Sequence, residues 1–274
     1  MVRFIRDFFS SSPFVPVVRL EGMIQAGRSS IAQPRTLNLR NVSKSLDRAF
    51  NIPKARAVAV IINSPGGSAA QSHLIAERLI HLSKEKKKPV YAFVEDAAAS
   101  GGYMIALGAE EIYANPFSIV GSIGVIAASF GFVDIMEKIG VERRVKTAGK
   151  LKLPTDPFSK ETDEGKRIID DLLKNTHTEF KKFVRERRGS KITDKSDEIL
   201  FEGEFWLAQK ALDLGLIDGI GDSREILKQK FGKDVQIRPI VDRISIFSPE
   251  SMDALIPDFS QAITAKTLWG RLGL

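Results

Sequence analysis

Strand-like apolar runs alternate with longer helical patterns along this chain, and that alternation constrains the fold more than any other feature. The clearest example is Val58–Ile62, which leads into the turn Asn63–Ser68 and then into a helical pattern at Ala69–Lys86. Such strand–helix units build α/β domains, in which crossover helices connect parallel strands. We therefore predict an α/β fold with a largely parallel sheet flanked by helices.

The same pattern predicts the other elements. The predicted strands are Val15–Leu20, Ala57–Ile62, Val90–Val94, Glu111–Tyr113, Ser122–Ala127 and Arg143–Thr147. The predicted helices are Leu39–Ala49, Ala69–Lys86, Gly101–Leu107, Phe132–Ile139, Lys160–Arg188, Glu204–Leu214 and Ser223–Phe231. No internal repeat or low-complexity linker interrupts this series. We expect one domain over residues 15–233, with extensions at residues 1–14 and 234–274.

The composition excludes several kinds of chemistry. A chain of 274 residues with 43% hydrophobic content can bury a sizeable core. It has no cysteine, so disulfides, thiolate metal ligands and cysteine nucleophiles are excluded. The net charge of +7 is spread along the chain. Because no aromatic and basic motif of an RNA-binding type accompanies it, we expect no nucleic-acid partner.

No segment has the pattern of a membrane-spanning helix. The longest uncharged run, Ile112–Val133, contains Asn115, Pro116 and three glycines, which is typical of a buried strand and turn. Asp7 interrupts the apolar stretch of Met1–Pro16, and no small-residue cleavage site follows it. We therefore expect neither a transmembrane segment nor a cleavable signal.

Gly66 and Gly67 in the first turn are candidates for binding an anion. Without a Cβ atom, paired glycines let a ligand approach the backbone, and their N–H groups can point at a negative charge. The alternative is an ordinary tight turn.

Ser100 is a candidate nucleophile. It follows the strand Val90–Val94 and a predicted small-residue turn at Glu95–Ala99, and a helix is predicted from Gly101. It is therefore expected at the carboxyl edge of the sheet, where α/β folds bind ligands. A hydroxyl there could attack a carbonyl while glycine amides hold the oxyanion. The alternative is that Ser100 only caps the helix.

A base for this serine is harder to find. The three histidines, His73, His81 and His177, all fall inside predicted helices, so a Ser-His-Asp arrangement has no clear support. Lys150 and Lys152 lie in a loop after a predicted strand. A lysine base must lose its proton near neutral pH, and an apolar environment promotes that loss through desolvation. The loop supplies such neighbours at Leu151, Leu153 and Phe158.

Five short segments, taken in order, resemble the motif set of the bacterial signal peptide peptidase A family. The segments are Asn63–Gly67, Ala99–Tyr103, Gly121–Val125, Gly149–Lys152 and Ala208–Gly221. Each is weak alone, but the five in order, over about residues 15–233, make the resemblance specific. One position departs from it, because Leu153 follows the lysine where the family has a small polar residue.

The resemblance implies a Clp-protease/crotonase-like fold and a Ser-Lys dyad that needs no metal or organic cofactor. Ser100 would be the nucleophile and Lys152, 52 positions later, the general base. Gly66 and Gly67 match the turn that supplies oxyanion donors, with Gly101 as a second donor. The motif register alone favours Lys152 over Lys150.

The expected partner is a peptide or protein substrate. Because larger relatives join two copies of the domain and share each site between them, we expect a ring-like homo-oligomer with Ser100 of one subunit facing Lys152 of the next. The basic and aromatic ends, Val2–Phe9 and Ile263–Leu272, fit either a bilayer interface or packing on protein. The expected location is bacterial, in the cytoplasm or at the periphery of the membrane.

Two other functions remain open from the sequence. One is a crotonase-type acyl-CoA hydratase or isomerase, which also uses two backbone amides but works through carboxylates. The other is a non-catalytic, membrane-associated scaffold that keeps the peptidase fold. The presence of both Ser100 and Lys152 argues against the scaffold.

Overall fold

The computed structural model describes residues 12–27, 36–192, 197–240 and 267–274. Its Cα positions fall into two compact units within the span predicted as one domain. The first comprises the chain up to Ile123 and from Val184 onward, and the second comprises Gly124–Phe183. The segment Val2–Phe9 and the start of Ile263–Leu272 lie outside the described residues.

The first unit is built on an eight-stranded sheet whose order is β6-β5-β3-β2-β1-β8, with β4 paired to β3 and β7 to β4. The strands are β1 (Phe14–Glu21), β2 (Val58–Ser64), β3 (Val90–Ala99), β4 (Glu111–Ala114), β5 (Ile119–Gly121), β6 (Phe205–Leu207), β7 (Gly219–Ile220) and β8 (Gln236–Pro239). Among these strands every ladder is parallel except β5–β6. The predicted, largely parallel α/β architecture is confirmed.

Helices connect most of the strands. They are α1 (Leu39–Phe50), α2 (Ala69–Lys86), α3 (Gly101–Ala106), α4 (Val133–Lys138), α5 (Asp163–Arg188), α6 (Asp197–Leu200), α7 (Ala208–Asp213) and α8 (Ser223–Phe231), with a 3₁₀ turn at Gly189–Lys191. Helix α4 and most of α5 belong to the second unit. None of the helices in the described residues is long and apolar enough to cross a bilayer.

Side chains alternate between the two faces of the sheet. On one face, Ala59 of β2 and Phe93 of β3 form a buried cluster with Leu227 of α8. The alternate residues of β2, such as Val60, are fully buried on the other face, where α1, α2 and α3 pack in sequence against one another. Helices therefore flank the sheet on both sides, which explains the strands' almost continuous apolar character.

Strand β3 is longer than predicted, because Glu95–Ala99 continues the strand instead of forming a turn. The register between β2 and β3 shifts between Ile62 and Ser64. Asn63 bridges this irregularity: its Oδ1 accepts from the amide of Ala97 at 3.2 Å and its Nδ2 donates to Asp96 at 2.6 Å. Beyond the shift, β3 exchanges β4 for β5 as its neighbour.

Three further predicted elements differ from the structure. Ser122–Ala127 and Arg143–Thr147 are not strands, because neither has a ladder partner among the described residues. Glu204–Leu214 is not one helix, since Phe205–Leu207 pairs with β5 before α7 begins. Strand β8, beyond the predicted domain end, pairs with β1.

A buried ion pair ties the end of α5 to the sheet. Arg188, only 4% exposed, donates to Asp218 at 2.8 Å and to the carbonyl oxygen of Gly215 at 2.8 Å. Asp218 also accepts from the amide of Ile112 at 2.7 Å and lies 2.7 Å from Lys191 Nζ. Burial alone would raise the pKa of Asp218, but the hydrogen bonds from Arg188, Lys191 and Ile112 hold it below its ordinary value.

Asp218→Asn should lower the free energy of unfolding by about 3 kcal/mol at pH 7, because Arg188 then stays buried without a counter-charge. The folded-state pKa of Asp218 lies below its unfolded value, so its contribution is complete above roughly pH 4 and is lost as the pH falls through the folded pKa. Urea titrations should therefore show the difference from wild type shrinking below about pH 4. The control Glu142→Gln, in an exposed pair with Arg144, should have no measurable effect.

Candidate active site

Ser100 stands between the end of β3 and the start of α3, in a rare backbone conformation. Its φ of 52° and ψ of −118° lie in a region that side-chain-bearing residues seldom adopt. Its amide donates to the carbonyl oxygen of Gly121 at 2.7 Å, which fixes the residue to the end of β5. The side chain is half-buried.

The hydroxyl of Ser100 does not cap the helix. Although Ser100 occupies the N-cap position of α3, its side chain makes no capping hydrogen bond. By contrast, Ser68 at the N-cap of α2 accepts from the amide of Gln71 at 3.4 Å. The structural alternative for Ser100, a simple helix cap, is therefore wrong.

The turn with Gly66 and Gly67 lies directly beside Ser100. A Cβ atom added to Gly66 would lie 2.9 Å from Cβ of Ser100 and 3.0 Å from the nitrogen of Gly101. A Cβ atom added to Gly101 would lie 2.3 Å from the hydroxyl oxygen of Ser72 and 3.4 Å from the nitrogen of Gly67. A side chain would collide with backbone atoms at Gly66 and Gly67 and with the hydroxyl of Ser72 at Gly101, so glycine fits these three positions.

The amides of this group differ in availability. The amide of Gly66 donates to the hydroxyl of Ser64 at 3.2 Å. Within the described part of the chain, the amides of Gly67 and Gly101 have no hydrogen-bond partner. Gly67 is exposed to solvent, whereas Gly66 is buried. The two unpaired amides are thus those of Gly67 and Gly101.

Backbone hydrogen bonds to Ile24 hold the glycine turn. The amide of Ile24 donates to the carbonyl oxygen of Gly66 at 2.9 Å, and its carbonyl oxygen accepts from the amide of Ser68 at 2.7 Å. Ile24 could not be predicted from the sequence, since backbone groups make this contact and any residue but proline could form it.

Lys152 belongs to the second unit, where it lies in a turn. Its amide donates to the carbonyl oxygen of Gly149 at 3.2 Å, and Gly149 has a φ of 101°. Lys150 and Lys152 are both exposed. The structure thus brings Ser100 together with the glycines, and a pairing of Ser100 with Lys152 stays a prediction.

The segment after Lys152 is anchored by an aromatic and ionic cluster. The ring of Phe158 stacks on that of Phe132 with centroids 5.5 Å apart, and the guanidinium of Arg143 lies 4.9 Å from the Phe158 centroid. Arg143 also forms an ion pair with Asp156. Phe158 contacts Phe132 and Arg143 but remains 41% exposed. Leu151 and Leu153 are each 47% exposed.

The three histidines lie on helices, as the sequence indicated. His73 and His81 are on α2, each near a glutamate one turn later, and His177 is on α5. A polar cleft of about 430 Å³, lined among others by Glu95, Asp96 and Asp222, opens on the α8 side of the sheet. It includes neither Ser100 nor the glycine turn, so it is not the candidate active site.

Ser100 thus lies at a strand–helix junction beside two unpaired amides, where a hydroxyl and oxyanion donors could act on the same carbonyl group. The family model "Peptidase family S49" matches residues 83–237 of this chain, which is more than half of it. The chain belongs to peptidase family S49. This confirms the resemblance to signal peptide peptidase A, since relatives with that name are also matched.

Two curated relatives show how much of a longer protein the similarity covers. A protein of Brucella abortus named Na(+)/H(+) antiporter NhaA is 48% identical over 235 residues, which is 86% of this chain but 31% of that protein. The probable protease SohB of Haemophilus influenzae is 32% identical over 223 residues, which is 81% of this chain and 59% of SohB. The chain thus spans about a third to three fifths of these relatives.

Solved structures support the fold. A lysine mutant of the 1510-N membrane-bound stomatin-specific protease, in complex with a substrate peptide, superimposes with a TM-score of 0.52. It is 16% identical, and the match covers 94% of this chain and 99% of that one. The predicted Clp-protease/crotonase-like fold is confirmed.

Gly67→Ala should destabilise the protein more than Gly27→Ala does. Both glycines have positive φ angles, 138° and 122°, so an alanine strains the backbone at either position. At Gly67 the new Cβ would also lie 2.0 Å from the carbonyl oxygen of Ile24, whereas at Gly27 no atom of the described residues lies within 4 Å. We expect an additional loss of about 2 kcal/mol at Gly67, measured by urea unfolding. Equal losses would show that the turn is not held against Ile24.

Proposed function

We propose that this chain is a serine endopeptidase in which Ser100 attacks a peptide carbonyl and Lys152 takes its proton. The observation that carries the proposal is the backbone of Ser100, held at φ 52° beside two unpaired amides. Such a conformation costs roughly 1–3 kcal/mol and persists only where the surroundings impose it, which is common at active sites.

In the first step, Ser100 Oγ bonds to the carbonyl carbon while its proton passes to Lys152 Nζ. The amides of Gly67 and Gly101 donate to the resulting oxyanion, and Gly66 contributes the close packing of the turn. Lys152 then protonates the leaving amine as the C–N bond breaks. A water molecule, deprotonated by Lys152, then adds to the acyl carbon, the ester C–O bond breaks, and Lys152 returns the proton to Ser100 Oγ. This mechanism uses no metal or organic cofactor.

The lysine has to be neutral to accept a proton, which requires shielding from water. Lys152 is exposed in the isolated chain, so we propose that a neighbouring subunit covers it. The number of exposed apolar side chains in the second unit supports this proposal, because exposed apolar surface is typical of interaction sites. Those at least 45% exposed in the second unit include Ile126, Phe130, Ile135, Ile139, Val141, Val145, Leu151 and Leu153.

The shared site then forms in a ring-like homo-oligomer, with Ser100 of one subunit and Lys152 of the next. A head-to-tail interface of this kind repeats the same pairing around the ring. We propose a location in the cytoplasm or at the periphery of the membrane, with a peptide or protein as substrate. Family membership and the substrate peptide bound to the structural relative support the peptidase; the antiporter name belongs to a protein of which the similarity covers 31%.

A serine-directed fluorophosphonate probe tests the nucleophile. It should label the wild-type protein and fail to label Ser100→Ala. Ser100→Ala should also fail to hydrolyse a peptide library. In the same assay Lys152→Ala should lose most activity and the matched variant Lys150→Ala much less. Variants of His73, His81 and His177 should remain active. Labelling of Ser100→Ala would show that another residue is the nucleophile, whereas thioester hydration that survives this change would favour the crotonase-type alternative.

Mixing two inactive variants tests the shared site. Ser100→Ala and Lys152→Ala subunits, assembled in equal amounts, should regain peptide hydrolysis. With random mixing in a head-to-tail ring, about one site in four unites an intact serine with an intact lysine. Activity no higher than either parent, after mass spectrometry has confirmed subunit mixing, would place the dyad within one chain.

A further inference from the structure

The exposed amide of Gly67 is held from both sides by a single residue. Ile24 binds the carbonyl oxygen of Gly66 and the amide of Ser68, the two backbone groups that flank Gly67. Any movement of Ile24 therefore moves the Gly67 amide relative to Ser100. What fixes Ile24 consequently determines where one of the two proposed oxyanion donors points.

Leu37 and Asn38, the two residues that precede helix α1, hold the segment that contains Ile24. The amide of Leu37 donates to the carbonyl oxygen of Met23 at 3.0 Å. The carbonyl oxygen of Leu37 in turn accepts from the amide of Gln25 at 3.1 Å. Asn38 completes the attachment with its side chain: Nδ2 donates to the carbonyl oxygens of Gln25 at 3.1 Å and Gly27 at 2.8 Å.

Asn38 is buried, and both the oxygen and the nitrogen of its side-chain amide form hydrogen bonds. It is only 2% exposed. Its Oδ1 accepts from the amide of Asn41 at 3.0 Å and so caps α1, while both hydrogens of Nδ2 go to the Ile24 segment. Serine, threonine or aspartate would cap the helix equally well, but none of them can also donate two hydrogen bonds. Asparagine alone among the usual caps meets both requirements.

We propose that Asn38 is a positioning residue for the oxyanion site, acting through Ile24 on the amide of Gly67. The proposal rests on the peptidase function put forward above. Its chain of contacts runs from the Asn38 amide to the carbonyls of Gln25 and Gly27, then through the backbone of Ile24 to the turn. Loss of the two donors should loosen the turn while helix α1 keeps its cap.

The test compares Asn38→Ser with wild type. Serine keeps a cap acceptor and removes both donors; Asn38→Asp, which keeps the volume, serves as a second variant. Asp222→Ala, which removes the N-cap of α8, is the control for a general loss of stability. Because small displacements of catalytic groups cost up to about 100-fold in rate, we expect kcat to fall roughly 10- to 100-fold with KM within about twofold. Affinity for a peptide aldehyde, which forms a tetrahedral adduct, should fall in parallel with kcat.

Amide hydrogen exchange gives a readout that does not depend on activity. The amides of Ile24 and Ser68 should exchange faster in both Asn38 variants and at the wild-type rate in Asp222→Ala. Wild-type exchange at these amides would overturn the proposal, as would a loss of kcat no greater than that of the control. If the wild type hydrolyses no peptide, the peptidase proposal fails, and the exchange rates still decide whether Asn38 holds the turn.

Discussion

The pairing of β3 with three different neighbours is the constraint on which the candidate site depends. Along one edge β3 stays beside β2, and along the other it pairs first with β4 and then with β5. The register shift bridged by Asn63 falls where this exchange takes place. Because β3 continues for ten residues, Ser100 is carried to the far end of the sheet, beside the turn that follows β2. A strand ending at Val94 would have left the serine and the glycines on separate loops.

Local sequence patterns were sufficient for most elements of the first unit. Buried runs such as Val58–Ile62 are apolar on both faces, and helices such as Ser223–Phe231 begin with a capping residue. The same patterns failed where pairing decides the structure. Ala97–Ala99 has no strand preference of its own and is extended because β5 and β2 pair with it, while Ser122–Ala127 has the preference but forms no ladder with any described strand.

The candidate site also has features that local sequence patterns predict and features that only the folded chain reveals. Small residues after predicted strands predicted that Ser100, Gly66, Gly67 and Gly101 lie at one edge of the sheet, and the structure places the four close together. The sequence could not show which amide was free, since the choice between Gly66 and Gly67 is made by the hydroxyl of Ser64. The sequence also could not reveal Ile24 or Asn38. Both act through backbone groups, and both lie far from the turn along the chain, about 30 to 40 positions away.

The pairing of β1 with β8 has a consequence for the order of folding. Phe14 lies beside Gln236, so the outer edge of an early strand is completed by one synthesised more than two hundred residues later. Contacts of such long range form slowly, because a large loop must close before they contribute stability. While the chain is being made, the edge of β1 presents unpaired amides and carbonyls to other nascent chains. Strand β8 then takes the edge position itself, so the pairing of β1 is completed only after Gln236–Pro239 has been synthesised.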